Sequence, residues 1–180
     1  MKRYFLFFLA LIGIMLTASG EQYVPQRGDY SFKTQLFTTT DDDMTVVDSI
    51  ITTVTDKMGN SFMLVSYTEP LDPEYWHGFG DIQEDDINFD GVPDLMICLG
   101  PTNSFGGFTY DGYIWDSQEH KFVHVENFRD ILDPMYFPDK NQIQGTLRID
   151  NHYWTTLHEW QNGKLVLIKE DYFEFNMEEE

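Results

Sequence analysis

The stretch Asp85-Asp86-Ile87-Asn88-Phe89-Asp90-Gly91-Val92-Pro93-Asp94-Leu95 decides how this 180-residue chain is organised. Oxygen-bearing side chains recur at alternate positions, and a glycine follows the third of them, where a sharp turn needs a residue without a side chain. The spacing gives five oxygen donors to one loop: the side chains of Asp86, Asn88, Asp90 and Asp94, and the backbone carbonyl of Val92. Calcium takes about six to eight hard oxygen ligands. The spacing therefore predicts a calcium site at residues 86–94.

The residues after this loop depart from the helix–loop–helix pattern of an EF-hand. The twelfth loop position is Ile97, where an EF-hand has a bidentate glutamate. The run 95–99 is apolar at every position, which is typical of a buried strand. We therefore predict an EF-hand-like loop that leads into a β-strand.

The first 20 residues have the pattern of an export signal. Lys2 and Arg3 precede an apolar run over residues 4–16, and Ala18-Ser19-Gly20 provides small residues for cleavage. The apolar run is shorter than the roughly 20 residues of a membrane span. The sequence predicts a periplasmic or extracellular protein with one β domain over residues 21–180 and no membrane span after signal removal.

Charge narrows the classes of partner. The chain has 11 Lys and Arg against 31 Asp and Glu, for a formal net charge of −20. Binding to nucleic acid needs a basic surface, so that class is excluded. A strongly negative protein attracts basic partners, although the same charge also serves simply to keep a monomer soluble. The single cysteine, Cys98, lies in the apolar run and is expected to be a buried thiol.

Short alternating segments separated by turn residues predict an all-β fold built from antiparallel hairpins. The predicted strands are 30–37, 45–55, 61–67, 79–87, 93–99, 108–115, 121–125, 142–149, 153–160 and 164–168, with 172–175 as a further candidate. Residues 127–132 are expected to form one helical turn. Asn162-Gly163 is the strongest hairpin signal in the chain.

Two of these hairpins have similar sequences. Residues 113–116 and 121–123 are similar to residues 157–160 and 164–166, and Trp115 and Trp160 are separated by 45 positions, about the length of a propeller blade. Residues 21–180 have room for only three or four such units. A small or incomplete β-propeller-like arrangement and a two-sheet β-sandwich both fit this pattern.

Sequence motifs for catalysis do not appear. The chain has no Gly-x-Ser-x-Gly, no His-Glu-x-x-His and no phosphate-binding glycine loop, and its histidines lack zinc-site spacing. We therefore expect a protein that is not an enzyme. Tyr75 and Trp76 lie in a Pro- and Gly-rich connection and are the predicted contact residues for a partner, either a protein or a glycan.

The calcium loop at 86–95, the segment 113–116 and the hairpin at 153–169 resemble exported bacterial β-repeat proteins related to the FG-GAP calcium-binding blades of integrin-like propellers. One branch of that group consists of periplasmic immunity proteins that inhibit a peptidoglycan-degrading effector of a type IV secretion system. The resemblance covers roughly residues 60–175, and only the loop is specific. It implies a non-catalytic protein that binds Ca²⁺ and a basic cell-wall hydrolase. A periplasmic or surface glycan-binding module is the alternative.

Overall fold

The structure, a computed structural model, describes residues 23–41, 44–72, 77–102 and 107–174. Within these ranges the predicted all-β class is confirmed. The strands are β1 (Tyr30–Asp41), β2 (Met44–Asp56), β3 (Ser61–Leu71), β4 (Ile82–Asp85), β5 (Asp94–Pro101), β6 (Phe108–Asp116), β7 (Lys121–Val125), β8 (Met135–Phe137), β9 (Gln142–Ile149), β10 (His152–Gln161) and β11 (Lys164–Glu174). Two single 3₁₀ turns, Phe128–Asp130 and Pro138–Lys140, lie between β7 and β9. The predicted signal peptide falls outside the described residues.

The strands form three antiparallel sheets, each a meander of strands that are consecutive in sequence. The first sheet has the order β1-β2-β3, the middle sheet β4-β5-β6-β7, and the last sheet β8-β9-β10-β11. Neighbouring strands can pair in this way because short turns connect antiparallel strands. No long crossover connection is therefore needed within a sheet.

The middle sheet is covered on both faces. All eight residues of β5 are buried. Leu95, Ile97 and Leu99 pack in one core with the first sheet, whereas Met96 and Cys98 pack in a second core with the last sheet. A strand that is buried on both faces needs apolar residues at successive positions, which explains the continuous apolar run seen in the sequence.

Several element boundaries differ from the prediction. The strand expected over 79–87 begins only at Ile82, and residues 172–174 continue β11 rather than form a separate strand. β1 extends through a polar segment to Asp41 because that segment pairs with β2. β8 was not predicted, since its three residues are too few to show alternation. The helical turn expected within 127–132 is the 3₁₀ turn Phe128–Asp130.

The two similar hairpins are confirmed as β6–β7 and β10–β11. Trp115 lies opposite Phe122, and Trp160 lies opposite Leu165. In each hairpin the tryptophan therefore precedes the last paired residue before the turn. The Asn162-Gly163 turn has positive φ at both positions, 52° and 74°, as a two-residue hairpin turn of this type requires.

His158 on β10 is buried, and its Nδ1 atom has no hydrogen-bond partner in the described part of the chain. Burial lowers the pKa of His158, because the charged imidazolium would lose its hydration. The negative charge of Asp130 raises the pKa of His158, but this effect is smaller than that of burial. His158 is therefore held in its neutral form in the folded protein.

We predict that His158 destabilises the fold as the pH drops below about 6.5, the ordinary pKa of histidine. In that window the unfolded chain binds a proton at His158 and the folded chain resists it, so protonation of this group favours unfolding. When the pH is lowered from 7 to 5, the melting temperature of the wild type should fall relative to that of His158→Gln, in which every other titratable group is unchanged. His152→Gln, on the same strand but less buried, is the control. An identical pH dependence in the wild type and His158→Gln would show that another group is responsible.

Candidate functional site

The predicted calcium loop connects β4 to β5 as the turn of a hairpin. Asp85 and Asp94 face each other at the last paired position before the loop. Gly91 has a φ of 86° and Phe89 a φ of 63°, so the backbone passes twice through the left-handed region. These two reversals fold residues 86–93 into a compact loop at one end of the middle sheet.

Polar side chains bond the backbone inside this loop. Asp86 accepts the N–H groups of Asp90 at 3.0 Å and Gly91 at 2.9 Å through its two oxygens. Asp90 Oδ1 accepts the N–H of Val92 at 2.8 Å, and its Oδ2 accepts Asn88 Nδ2 at 3.0 Å. The Asp90 N–H also reaches Asn88 Oδ1 at 3.1 Å. The structure thus brings together the side chains of Asp86, Asn88 and Asp90, as the spacing predicted.

Asp94 occupies a different environment from the other predicted ligands. Its side chain is buried, and its carboxylate accepts the N–H groups of Ile87 at 3.1 Å, Asn88 at 3.3 Å and Trp115 at 2.8 Å. Burial raises the pKa of the Asp94 carboxyl to about 8, while these N–H donors act to lower it. Asp94 therefore links the loop to β6 through hydrogen bonds. The spacing alone did not predict this structural role.

The donor set of the loop consists of oxygen atoms. In the described part of the chain, no three His, Cys, Asp or Glu side chains converge to hold a metal. The loop offers instead the two carboxylates of Asp86 and Asp90, the Asn88 amide and the Val92 carbonyl. A carboxylate oxygen that accepts one N–H retains a second lone pair. Hard oxygen donors suit calcium and not the nitrogen- and sulfur-preferring zinc, so calcium stays a prediction for these residues.

The loop is anchored from several directions. Ile87 is fully buried in the core between the middle and last sheets. Its carbonyl accepts the indole N–H of Trp160 at 2.7 Å, across 73 residues of sequence. The Phe89 ring contacts Tyr136 edge to face at 6.4 Å, and Arg27 pairs with Asp85 at 3.0 Å. Trp160 thus supports the loop in addition to its hairpin, which sequence reasoning did not anticipate.

A second polar cluster lies near the middle of β6. The buried carboxylate of Asp111 accepts Arg129 Nη2 at 2.7 Å and Nε at 3.2 Å, and it pairs with His124 Nε2 at 3.3 Å. Arg129 belongs to the 3₁₀ turn Phe128–Asp130, so this pairing holds the turn against the middle sheet. No sequence motif marks the cluster, because its three residues come from three different elements. Tyr75 and Trp76, the predicted contact residues, lie outside the described residues.

Comparison with known proteins gives one likeness of fold. The chain matches no protein-family model and no curated protein. Its structure is similar to that of a Xanthomonas protein related to a type IV secretion system, with a TM-score of 0.57 and 21% sequence identity. The match covers 86% of this chain and 84% of the other. At this identity the likeness concerns the fold. The described residues include no helix that is both long and apolar enough to cross a membrane.

We predict that Asp94→Asn lowers the free energy of unfolding by about 3 kcal/mol, because it leaves buried N–H groups without an adequate acceptor. Asp116→Asn is the matched control, since Asp116 also accepts two backbone N–H groups, from Gln118 and Glu119, but in an exposed turn. Urea unfolding should show a much larger decrease for Asp94→Asn than for Asp116→Asn. Equal decreases would contradict the structural role of Asp94.

Proposed function

We propose that this chain is an exported, non-catalytic β-protein that binds a basic macromolecular partner, and that the partner is a peptidoglycan hydrolase inhibited by the complex. The formal net charge of −20 carries this proposal. A charge of this size attracts cationic proteins over a Debye length of about 8 Å at physiological salt and speeds their association. It also disfavours acidic and nucleic-acid partners.

The likeness of fold supports this class of partner and a location in the cell envelope or outside the cell. The similar Xanthomonas protein is described as related to a type IV secretion system. A peptidoglycan-degrading effector of a type IV secretion system is also the target that the family resemblance of the sequence implies. An acidic exported protein of the same fold is suited to bind a basic enzyme there.

We also propose that the three meanders form an incomplete propeller-like stack and that its loop binds calcium. Three sheets packed face to face favour this arrangement over a two-sheet sandwich. Calcium would be held by the side chains of Asp86, Asn88 and Asp90 and by the Val92 carbonyl. Asp94 would either be a further ligand or hold the loop in place through its hydrogen bonds to Ile87 and Asn88. Binding would offset the repulsion between the crowded carboxylates and would therefore be linked to folding.

Thermal unfolding in excess EDTA and in millimolar calcium tests the loop. Calcium at about 100 times its dissociation constant should stabilise the wild type by about 2.7 kcal/mol and raise its melting temperature. Asp90→Ala should abolish the shift, because it removes one ligand, whereas Asp116→Ala should retain it. A wild type that melts at the same temperature in both buffers would contradict calcium binding.

Inhibition of a basic lysozyme, measured on peptidoglycan in calcium buffer, tests the proposed activity. The acidic protein should slow the enzyme, and the dissociation constant should rise as sodium chloride increases from 50 to 500 mM, because salt screens the attraction. Lysozyme with acetylated lysines, which has lost that positive charge, is the control and should bind more weakly. If the protein binds soluble peptidoglycan fragments but not the enzyme, the glycan-binding alternative replaces this proposal.

A further inference from the structure

The first sheet has one face toward the core and one toward solvent. Ile50, Thr52 and Val54 on β2 are fully buried and define the inner side. By strand alternation and register, the opposite side, here called the outer face, presents twelve residues: Ser31, Lys33, Gln35 and Phe37 on β1, Ser49, Ile51, Thr53 and Thr55 on β2, and Ser61, Met63, Val65 and Tyr67 on β3.

The twelve residues of the outer face include no carboxylate, although the chain has 31 Asp and Glu residues; Glu69, two positions beyond Tyr67 on β3, lies at the border of the face. Lys33 is its one charged residue. Acidic side chains are otherwise common in the exposed parts of this chain, and they resist close contact with most surfaces because they must be dehydrated. A solvent-facing sheet surface without acidic residues is therefore suited to contact another molecule.

The apolar residues of this face are unusually exposed. Met63 is 70% exposed and Tyr67 is 67% exposed, and Phe37 and Val65 are also exposed. Phe37 and Tyr67 flank Ser49 in one row across the sheet, and Val65 lies beside Ile51 in the next row. The cores of protein interfaces are enriched in aromatic residues and methionine and depleted in charged residues. Phe37, Met63 and Tyr67 are residues of these enriched types, and Lys33 is the one charged residue among the twelve.

We propose that the outer face of the first sheet is the surface that docks the basic protein partner. This inference rests on the proposed function and deepens it. The half-buried Asp48 precedes Ser49, and the exposed Glu69 follows Tyr67 by two positions. The outer face therefore has carboxylates at one border. That arrangement fits a partner with an apolar patch next to lysine or arginine side chains, since an interface combines an apolar centre with a polar rim.

The other occupants fit this face less well. A second copy would bring together two chains with a formal charge of −20 each, and the face offers only Lys33 to offset the repulsion. A glycan could hydrogen-bond to the serine and threonine hydroxyls of this face, but it would cover the exposed aliphatic side chains of Met63 and Val65, which give it no hydrogen bonds. Neither a second copy nor a glycan would form ion pairs with Asp48 and Glu69 at the border of the face.

The apolar edge of β11 is the competing surface. Val166, Leu167 and Ile168 are exposed there. This edge, however, carries Lys164, Lys169, Glu170 and Asp171 along the same strand, and its pairing with β10 is interrupted by a bulge. Charged residues and bulges are the features that keep edge strands from pairing with other chains. The outer face of the first sheet lacks such protection by acidic residues.

Binding of the basic lysozyme to Met63→Lys in calcium buffer tests the proposal. A lysine on the outer face would place a like charge and a hydration shell in the apolar contact, so the dissociation constant should rise at least tenfold. Met135→Lys is the matched control, because Met135 on β8 is 56% exposed and the substitution changes the net charge equally. It should bind lysozyme like the wild type. Tyr67→Ala, which adds no charge, should also weaken binding. Equal melting temperatures would establish that the variants are folded.

Four outcomes would overturn the proposal, and they separate it from the proposed function. If the wild type and Met63→Lys bind lysozyme equally, the outer face is not the docking surface, while the proposed function stands. If the wild type does not bind lysozyme, both fall. Sedimentation of the protein alone and binding of soluble peptidoglycan fragments identify other occupants: dimerisation lost in Met63→Lys would assign the face to a second copy, and fragment binding lost in Tyr67→Ala would assign it to a glycan.

Discussion

The carboxylate of Asp94 is the constraint on which the loop and the middle sheet depend. It is the first residue of β5, and it accepts N–H groups from the loop before it and from Trp115 on the neighbouring strand. One buried group thereby fixes the position of the loop relative to two strands. The backbone donors replace part of the hydration that the buried carboxyl has lost, although burial still raises its pKa. The position of the loop is consequently determined by its hydrogen bonds to Asp94 at the start of β5.

The position of the middle sheet determines which surfaces are able to contact a metal or a partner. Because both of its faces are covered, only the outer layers and the ends of the strands face solvent. The candidate metal loop lies at one end of the middle sheet, and the outer face lies on the first sheet. The two features are therefore separate. A metal in the loop would stabilise the middle sheet, whereas a partner would contact the first sheet. Asp111, Arg129 and His124 serve neither feature and instead hold the 3₁₀ turn in place.

Local patterns in the sequence were sufficient to predict the class of fold and most strands. Alternation, the apolar run at 95–99 and the Asn162-Gly163 turn depend on residues close in the chain, and the structure follows them. The hydrogen bond from Trp160 to Ile87 joins residues far apart in sequence, and the burial of Asp94 depends on Trp115, so neither could be predicted from spacing. β8 was missed because tertiary pairing with β9, rather than its own composition, makes it a strand. The outer face required the register of three strands, which alternation alone does not supply.

The order of the three sheets along the chain has a consequence for folding during synthesis. A chain that emerges N-terminus first completes the hairpins of the first sheet early, since they join neighbouring segments. Ile50, Val54 and Leu64 nevertheless lack their packing partners until β5 and β6 have followed. During that interval an apolar sheet is exposed at both of its faces, and such intermediates are prone to aggregate. The protein should therefore depend on chaperones while it folds more than its short-range topology suggests.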